Sequence, residues 1–203
     1  MVTAGVGVVL YLLFGASTAA PAFLALVFLL FFFRDPHRDS PSLPLAIVAP
    51  VDGHVRGYGA RKDPWLGRDA QWIEMRMGLF NVHSLFSPVE GKIIEQWRTP
   101  AHESSDAQAA TGSIAYLVRT DEGDELVLEI SRGRINGPLQ FSAQPGERVG
   151  HGRRIGYAAL GCTVALYVDA SSRIEISDLD STTAASTVVA TLMHDSPVSA
   201  LEA

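Results

Sequence analysis

No charged side chain interrupts the run from Met1 to Phe33, which is dominated by Val, Leu, Phe and Ala; from Ile47 onward, short apolar stretches alternate with polar positions and are broken by Gly and Pro. The first pattern has no water-facing side, as expected of a membrane segment, whereas the second has the two-residue period of half-buried strands. A straight helix over 1–33 would reach roughly 48 Å, more than the roughly 30 Å hydrocarbon layer requires. Pro21, after Ser17-Thr18-Ala19-Ala20, is the natural break, because it removes a helical hydrogen bond and disfavours helical geometry in the residue before it. Residues 1–33 are therefore expected to form a helical anchor, either a re-entrant hairpin or a single kinked span. A removed targeting peptide is the alternative, but no basic stretch precedes the apolar run. Arg34 and Arg38 follow the segment directly and place the rest of the chain on the cytoplasmic side of the cell membrane by the positive-inside tendency.

Residues 34–46 are rich in Pro and Ser and read as a linker, and 47–203 as one domain. Strands are predicted at 53–58, 71–77, 91–98, 114–119, 125–130, 163–168, 173–177 and 187–192, with one short helix near 79–86. The polar stretch 101–112 reads as a loop, and the glycine-rich 146–150 and 152–156 as successive tight turns. The expected fold class is mainly β (α+β), a compact sandwich or barrel-like hybrid behind the helical anchor.

Composition narrows the partners. With 16 Lys and Arg against 22 Asp and Glu, the net charge is −6, so there is no basic stripe for a nucleic-acid backbone. An acidic domain at a membrane implies contact with particular headgroups rather than polybasic adhesion. The one cysteine, Cys162, excludes an internal disulfide and any cysteine-rich metal site. His37, His54, His102, His151 and His194 lie in polar, turn-rich surroundings without metal-ligand spacing, so no metal is expected.

Three positions bear candidate chemistry. Asp52, between Pro50 and Gly53, either holds a carboxylate at a fixed point or bonds its own turn backbone. His83, in Asn81-Val82-His83-Ser84, titrates near neutrality and suits proton transfer, although an isolated histidine is more often structural. Gly161-Cys162 leads into the apolar run Val164-Ala165-Leu166-Tyr167-Val168. The glycine lets another group approach its carbonyl, which the residue-162 side chain can attack, whereas an ordinary cysteine here would be a small core residue.

Taken together, these segments resemble the phosphatidylserine decarboxylase family. Phe33-Arg34-Asp35-Pro36 followed by Ala49-Pro50-Val51-Asp52-Gly53 is similar to the family's membrane exit and catalytic-Asp turn. Asn81-Val82-His83 with Ser87-Pro88-Val89-Glu90-Gly91-Lys92 resembles its histidine segment, and Leu160-Gly161-Cys162-Thr163 its Leu-Gly-Ser-Thr cleavage motif. The resemblance implies a proenzyme that cuts itself between Gly161 and Cys162, with Asp52 and a histidine partner in the cleavage machinery. Residue 162 then becomes a pyruvoyl group that takes the amine of a phosphatidylserine, or related serine phospholipid, and accepts electrons as carbon dioxide leaves. It assigns His83 to proton transfer and makes the product an ethanolamine phospholipid. The substrate is in the membrane, and a homo-oligomer is compatible with the pattern. Three positions depart from the family. Cys162 replaces its serine. Phe86 stands where longer members have a second histidine and shorter ones often arginine. Ala109-Ala110-Thr111-Gly112 stands where shorter members have Asn-Glu-Arg-Asn. The alternative is an uncleaved, membrane-attached relative that binds or scaffolds. A lipoyl- or biotinyl-type carrier is disfavoured, because Met75-Arg76-Met77 offers arginine where such carriers need lysine.

Overall fold

Strand pairing dominates the structure, a computed structural model that describes residues 16–32, 38–78, 81–99, 112–132, 139–158 and 161–193. Its contacts divide the chain after Pro36. Among the described residues the first unit contributes the helix α1 (Ala16–Phe32), which includes Pro21 and no charged residue in its first or last turn.

The second unit is built from strands. Their ranges are β1 (Ala46–Val48), β2 (Gly53–Lys62), β3 (Asp69–Met77), β4 (Ser84–Phe86), β5 (Gly91–Thr99), β6 (Ser113–Arg119) and β7 (Glu125–Ser131), then β8 (Gln140–Phe141), β9 (Arg148–Val149), β10 (Arg154–Tyr157), β11 (Thr163–Asp169), β12 (Arg173–Ile174), β13 (Ser181–Thr182) and β14 (Val188–Thr191). Eight of them form one antiparallel sheet in the order β13-β2-β3-β11-β7-β6-β5-β9; β1-β14-β12 and β4-β10-β8 form two smaller sheets.

The two-residue period sets the faces of the large sheet. Ile73, Met75 and Met77 of β3, Leu126, Leu128 and Ile130 of β7, and Val164, Leu166 and Val168 of β11 enter the main core. Residues of opposite parity, including Ala115, Leu117, Val127 and Tyr167, form a second apolar cluster with Trp65, Trp72 and Trp97. The sheet curls as a half-barrel around the main core, to which the smaller sheets contribute Ile47, Leu85, Ile155 and Val189. On the other cluster, Trp65 stacks on Trp97 with ring centroids 5.6 Å apart, and its indole N–H donates to Glu129 Oε2 at 3.2 Å.

The expected helix near 79–86 is corrected in its second half. Residues 84–86 are β4, paired with β10, and the Phe86 N–H donates to the Pro50 carbonyl at 2.9 Å. All three residues are buried, and a short apolar run carries no period that separates strand from helix. Leu79 and Phe80 lie outside the described residues, as does the expected loop 101–112 except Gly112. The strand expected at 173–177 is only two residues long, because the Asp180 carboxylate accepts from the Ser177 N–H and turns the chain.

Segment 38–45, read as a linker, is fastened to the β domain. Ser186 Oγ donates to the Asp39 carbonyl at 3.2 Å, Leu45 packs on the core, and its carbonyl accepts from the Leu192 N–H at 2.9 Å.

Gly53 sits where β2 and β3 press together, and a Cβ there would overlap the Arg76 carbonyl. Gly53→Ala is therefore expected to cost about 1–3 kcal/mol in denaturant unfolding, the usual range for overpacking; unchanged stability would show that the strands separate easily at this end.

Candidate active site

The Ala49–Asp52 turn is braced from several directions. Besides the bond from Phe86 to Pro50, the Ala185 N–H donates to the Ala49 carbonyl at 2.8 Å and Thr182 Oγ1 to the Val51 carbonyl at 3.2 Å. Asp52, largely buried, does not spend its carboxylate on its own turn. Oδ1 accepts from the Ala184 N–H at 2.7 Å, and Oδ2 accepts from Arg38 Nη2 at 2.6 Å. A carboxylate with a backbone donor on one oxygen and a guanidinium on the other is held in place from both sides.

The cross-strand register links that turn to the candidate cleavage point. Gly53 pairs with Met77, and the Met77 N–H donates to the Cys162 carbonyl at 3.0 Å. Adjacent strands lie about 4.8 Å apart, so the backbones at 53 and 162 are two strand spacings, roughly 10 Å, apart. On the other side of β11, Thr163 pairs with Ser131, so the next step sets Cys162 opposite Arg132, whose N–H donates to the Gly112 carbonyl at 3.4 Å. Gly53, Met77, Cys162, Arg132 and Gly112 thus form one row across an end of the sheet.

Cys162 is fully buried and belongs to the main core. Gly161 before it has φ +74°, a left-handed conformation that glycine adopts without a Cβ penalty, and a Cβ there would meet no atom of the described residues beyond its chain neighbours within 4 Å. The candidate cleavage point therefore combines a residue fixed through its carbonyl with a preceding glycine in a left-handed conformation.

His83 is buried, and its carbonyl accepts from the Ala158 N–H at 2.8 Å, while Ser84 pairs with Tyr157. Its ring lies 5.8 Å from that of Tyr157, tilted by 32°. Burial lowers its pKa and so favours neutral imidazole at pH 7. Protonation is then favoured in the unfolded chain, so His83's contribution to stability is complete above about pH 6.5 and declines as pH falls towards the lower folded value. His151, also lowered by burial, acts in the same direction. His83→Gln is therefore expected to flatten the loss of unfolding free energy between about pH 7 and about pH 5.5; identical slopes in variant and native protein would remove His83 from that dependence.

The structure places Asp52 one residue before the row that contains Cys162, and His83 beside Ala158, a few residues before it. Phe86 packs with Ala184 and Ala185, the segment whose backbone binds Asp52, so an apolar ring fills the neighbourhood of the position expected for a second base. Arg38 and the Ala184 N–H, the actual partners of Asp52, escape sequence reasoning. Arg38 is legible only as a charge after the apolar N-terminal run, and a backbone donor 132 residues away has no local signature. His37, His102 and His194 lie outside the described residues, as do Arg34 and Leu160.

Comparison with known proteins agrees with the resemblance carried by these segments. A family model described as phosphatidylserine decarboxylase matches residues 25–190, a stretch that includes Asp52, His83 and Cys162. The phosphatidylserine decarboxylase proenzyme of Nitrosomonas europaea is 33% identical over 176 residues, covering 85% of this chain and 82% of that protein. The proenzyme of Nitrosomonas eutropha is 34% identical over 177 residues, with the same coverage, and that of Burkholderia cenocepacia 31% over 195 residues, covering 94% and 91%. No solved structure matches. With the family match spanning most of its length and relatives aligned over most of theirs, the chain belongs to the phosphatidylserine decarboxylase family.

Proposed function

We propose that this chain is a self-processing, pyruvoyl-dependent phosphatidylserine decarboxylase attached to the cytoplasmic face of the cell membrane through residues 1–33. The observation that carries the reading is the arrangement at 161–162. The Cys162 carbonyl is held on Met77 while the peptide bond before it follows a left-handed glycine.

In the first stage, Cys162 Sγ attacks the Gly161 carbonyl carbon and the C–N bond breaks, giving a thioester and a free amine on residue 162. Removal of the residue-162 α-proton expels the Gly161 thiocarboxylate and leaves dehydroalanine. Tautomerisation and addition of water release ammonia and leave a pyruvoyl group at the start of a new chain. A thiol is a stronger nucleophile than the family's hydroxyl, and thiocarboxylate is a competent leaving group, so cysteine suits each bond change. Asp52, fixed by Arg38 and Ala184 one residue before the row that holds Cys162, is assigned the support of a histidine during proton removal. The Met77 bond anchors residue 162 on the sheet after the cut.

The pyruvoyl group supplies an electron sink for decarboxylation of an amino acid headgroup. Around it, the chain must orient the headgroup, exclude water and return a proton to the carbon that loses carbon dioxide. Neutral, buried His83 is assigned that last task. None of the described helices is long and apolar enough to cross a membrane, and the proposal asks only that residues 1–33 attach the chain to one.

Purified protein supplied with phosphatidylserine in mixed micelles should release carbon dioxide and form the ethanolamine lipid, and hydroxylamine should block the reaction by capturing the carbonyl. No release, or release indifferent to hydroxylamine, would reject the proposal. The uncleaved binding protein is the second reading, favoured by the apolar Phe86 packed at the expected base position.

A further inference from the structure

A bulge in β5 builds a cationic cavity beside the residue-162 row. Ile93 pairs with Val118, but after a register shift Glu95 pairs with Leu117, Gln96 with Tyr116 and Arg98 with Ile114. One extra residue reverses the parity of the rest of the strand, because side chains alternate faces with a period of two. Without it, Trp97 would face the main core. With it, Trp97 joins the opposite cluster, and Gln96 and Arg98 share the inner face with Ile114 and Tyr116.

The cavity there has a volume of about 770 Å³, and Arg98, Arg132 and Arg154 line it. No carboxylate does so among the described residues, although the whole chain carries a net charge of −6. With its amide turned to satisfy its neighbours, Gln96 places its oxygen 2.8 Å from Arg98 Nε, 3.1 Å from Arg98 Nη2 and 3.1 Å from the Tyr116 hydroxyl. A neutral amide therefore aims Arg98 without neutralising it. Burial pushes the Tyr116 hydroxyl up to about 12, so it remains a neutral donor at physiological pH. Tyr157, the aromatic neighbour of His83, also lines the cavity.

We propose that this cavity binds the phosphodiester of the serine phospholipid, with Arg98, Arg132 and Arg154 as its cationic walls. The inference rests on the decarboxylase reading and locates its substrate's phosphate. The serine nitrogen and the phosphorus are separated by two carbons and an oxygen, a span of roughly 5 Å, comparable to one and a half extended residues. The ladder of β11 and β7 ends at Thr163 opposite Ser131; its next step sets Cys162 opposite Arg132, and directly opposed antiparallel residues have Cα atoms about 4.5–5.5 Å apart. A headgroup attached at residue 162 therefore carries its phosphate to the arginine wall. Guanidinium geometry suits phosphate oxygens. The choice between the two anions follows from the reaction. The phosphodiester keeps its charge throughout, so binding it holds the substrate at no cost to the chemical step. A cation on the carboxylate would instead stabilise the ground state relative to departing carbon dioxide.

The test uses the full Cys162→Ala chain in detergent, which cannot cleave, and measures lysophosphatidylserine binding by calorimetry. Adding Arg98→Gln should weaken binding about tenfold, equivalent to about 1.4 kcal/mol, and Arg154→Gln should act in the same direction. An acylated serine without phosphate should bind equally with or without Arg98→Gln. Unchanged lysophosphatidylserine affinity in both variants, or an equal loss for the phosphate-free lipid, would overturn the proposal. So would inorganic phosphate binding as tightly as the lipid, which would identify a free-phosphate site. If Arg98→Gln fails to fold, Arg154→Gln carries the comparison. Native self-cleavage, which requires no lipid, is followed separately by mass. Its failure would defeat the decarboxylase reading, whereas unchanged affinities in a chain that cleaves would defeat the cavity assignment alone.

Discussion

Cys162→Ala is expected to give one unbroken chain with no measurable decarboxylation. Alanine has neither a nucleophile for the Gly161 carbonyl nor a leaving group on its β-carbon, so both the acyl shift and the elimination lose an indispensable atom. Loss of a covalent catalyst commonly costs four orders of magnitude or more, roughly the 10⁴–10⁶-fold seen when serine nucleophiles are removed. The fold should tolerate the change. Cys162 is a small, fully buried core residue, and its backbone bond from Met77 uses the carbonyl, which alanine retains. Residual decarboxylation by this variant would sink the mechanism. Cys162→Ser separates nucleophile from packing, and it should retain or improve processing because it restores the family's residue. If serine blocks a cut that cysteine supports, the surroundings are tuned to sulfur.

Asp52→Asn should slow self-cleavage by about 10²–10⁴-fold, the usual worth of a positioned acid–base group, while the chain still folds. The amide keeps the size of the carboxylate, and its oxygen can still accept from the Ala184 N–H. What it loses is the charge that faces Arg38 at 2.6 Å. Leaving that guanidinium without its partner carries a folding cost, so unfolding and processing must be measured on the same preparation. Processing slowed in parallel with a large loss of stability would make the Arg38–Asp52 pair structural. Slow processing in a stably folded chain would place Asp52 in the reaction, and cleavage at the native rate would remove it.

The sheet's long strands were legible because their sides differ. The alternation through Ile73, Met75 and Met77, and again through Val164, Leu166 and Val168, is visible without coordinates and survives in the core. The two-residue strands β8, β9, β12 and β13 are too short to show a period and exist because longer neighbours offer backbone partners. At the site, Asp52, His83 and Cys162 stood out as residue types in distinctive local settings. Their connections did not, because Arg38, Ala184 and Met77 meet them through pairings fixed only when the sheet closes. The arginine cavity was hidden most deeply. It depends on one extra residue at the Ile93/Glu95 shift, and a sequence read with strict alternation would put Trp97 where Gln96 and Arg98 actually face.

The most direct test is the intact mass of detergent-purified native protein, with and without reducing agent. Two chains are expected. One would end at Gly161 as a thiocarboxylate or the carboxylate it hydrolyses to, and the other would run from residue 162 to 203 with a pyruvoyl group in place of a free amine. A single unbroken chain near 21.8 kDa, with a thiol at Cys162 that titrates after unfolding, would contradict self-processing and leave a family member that binds without catalysing.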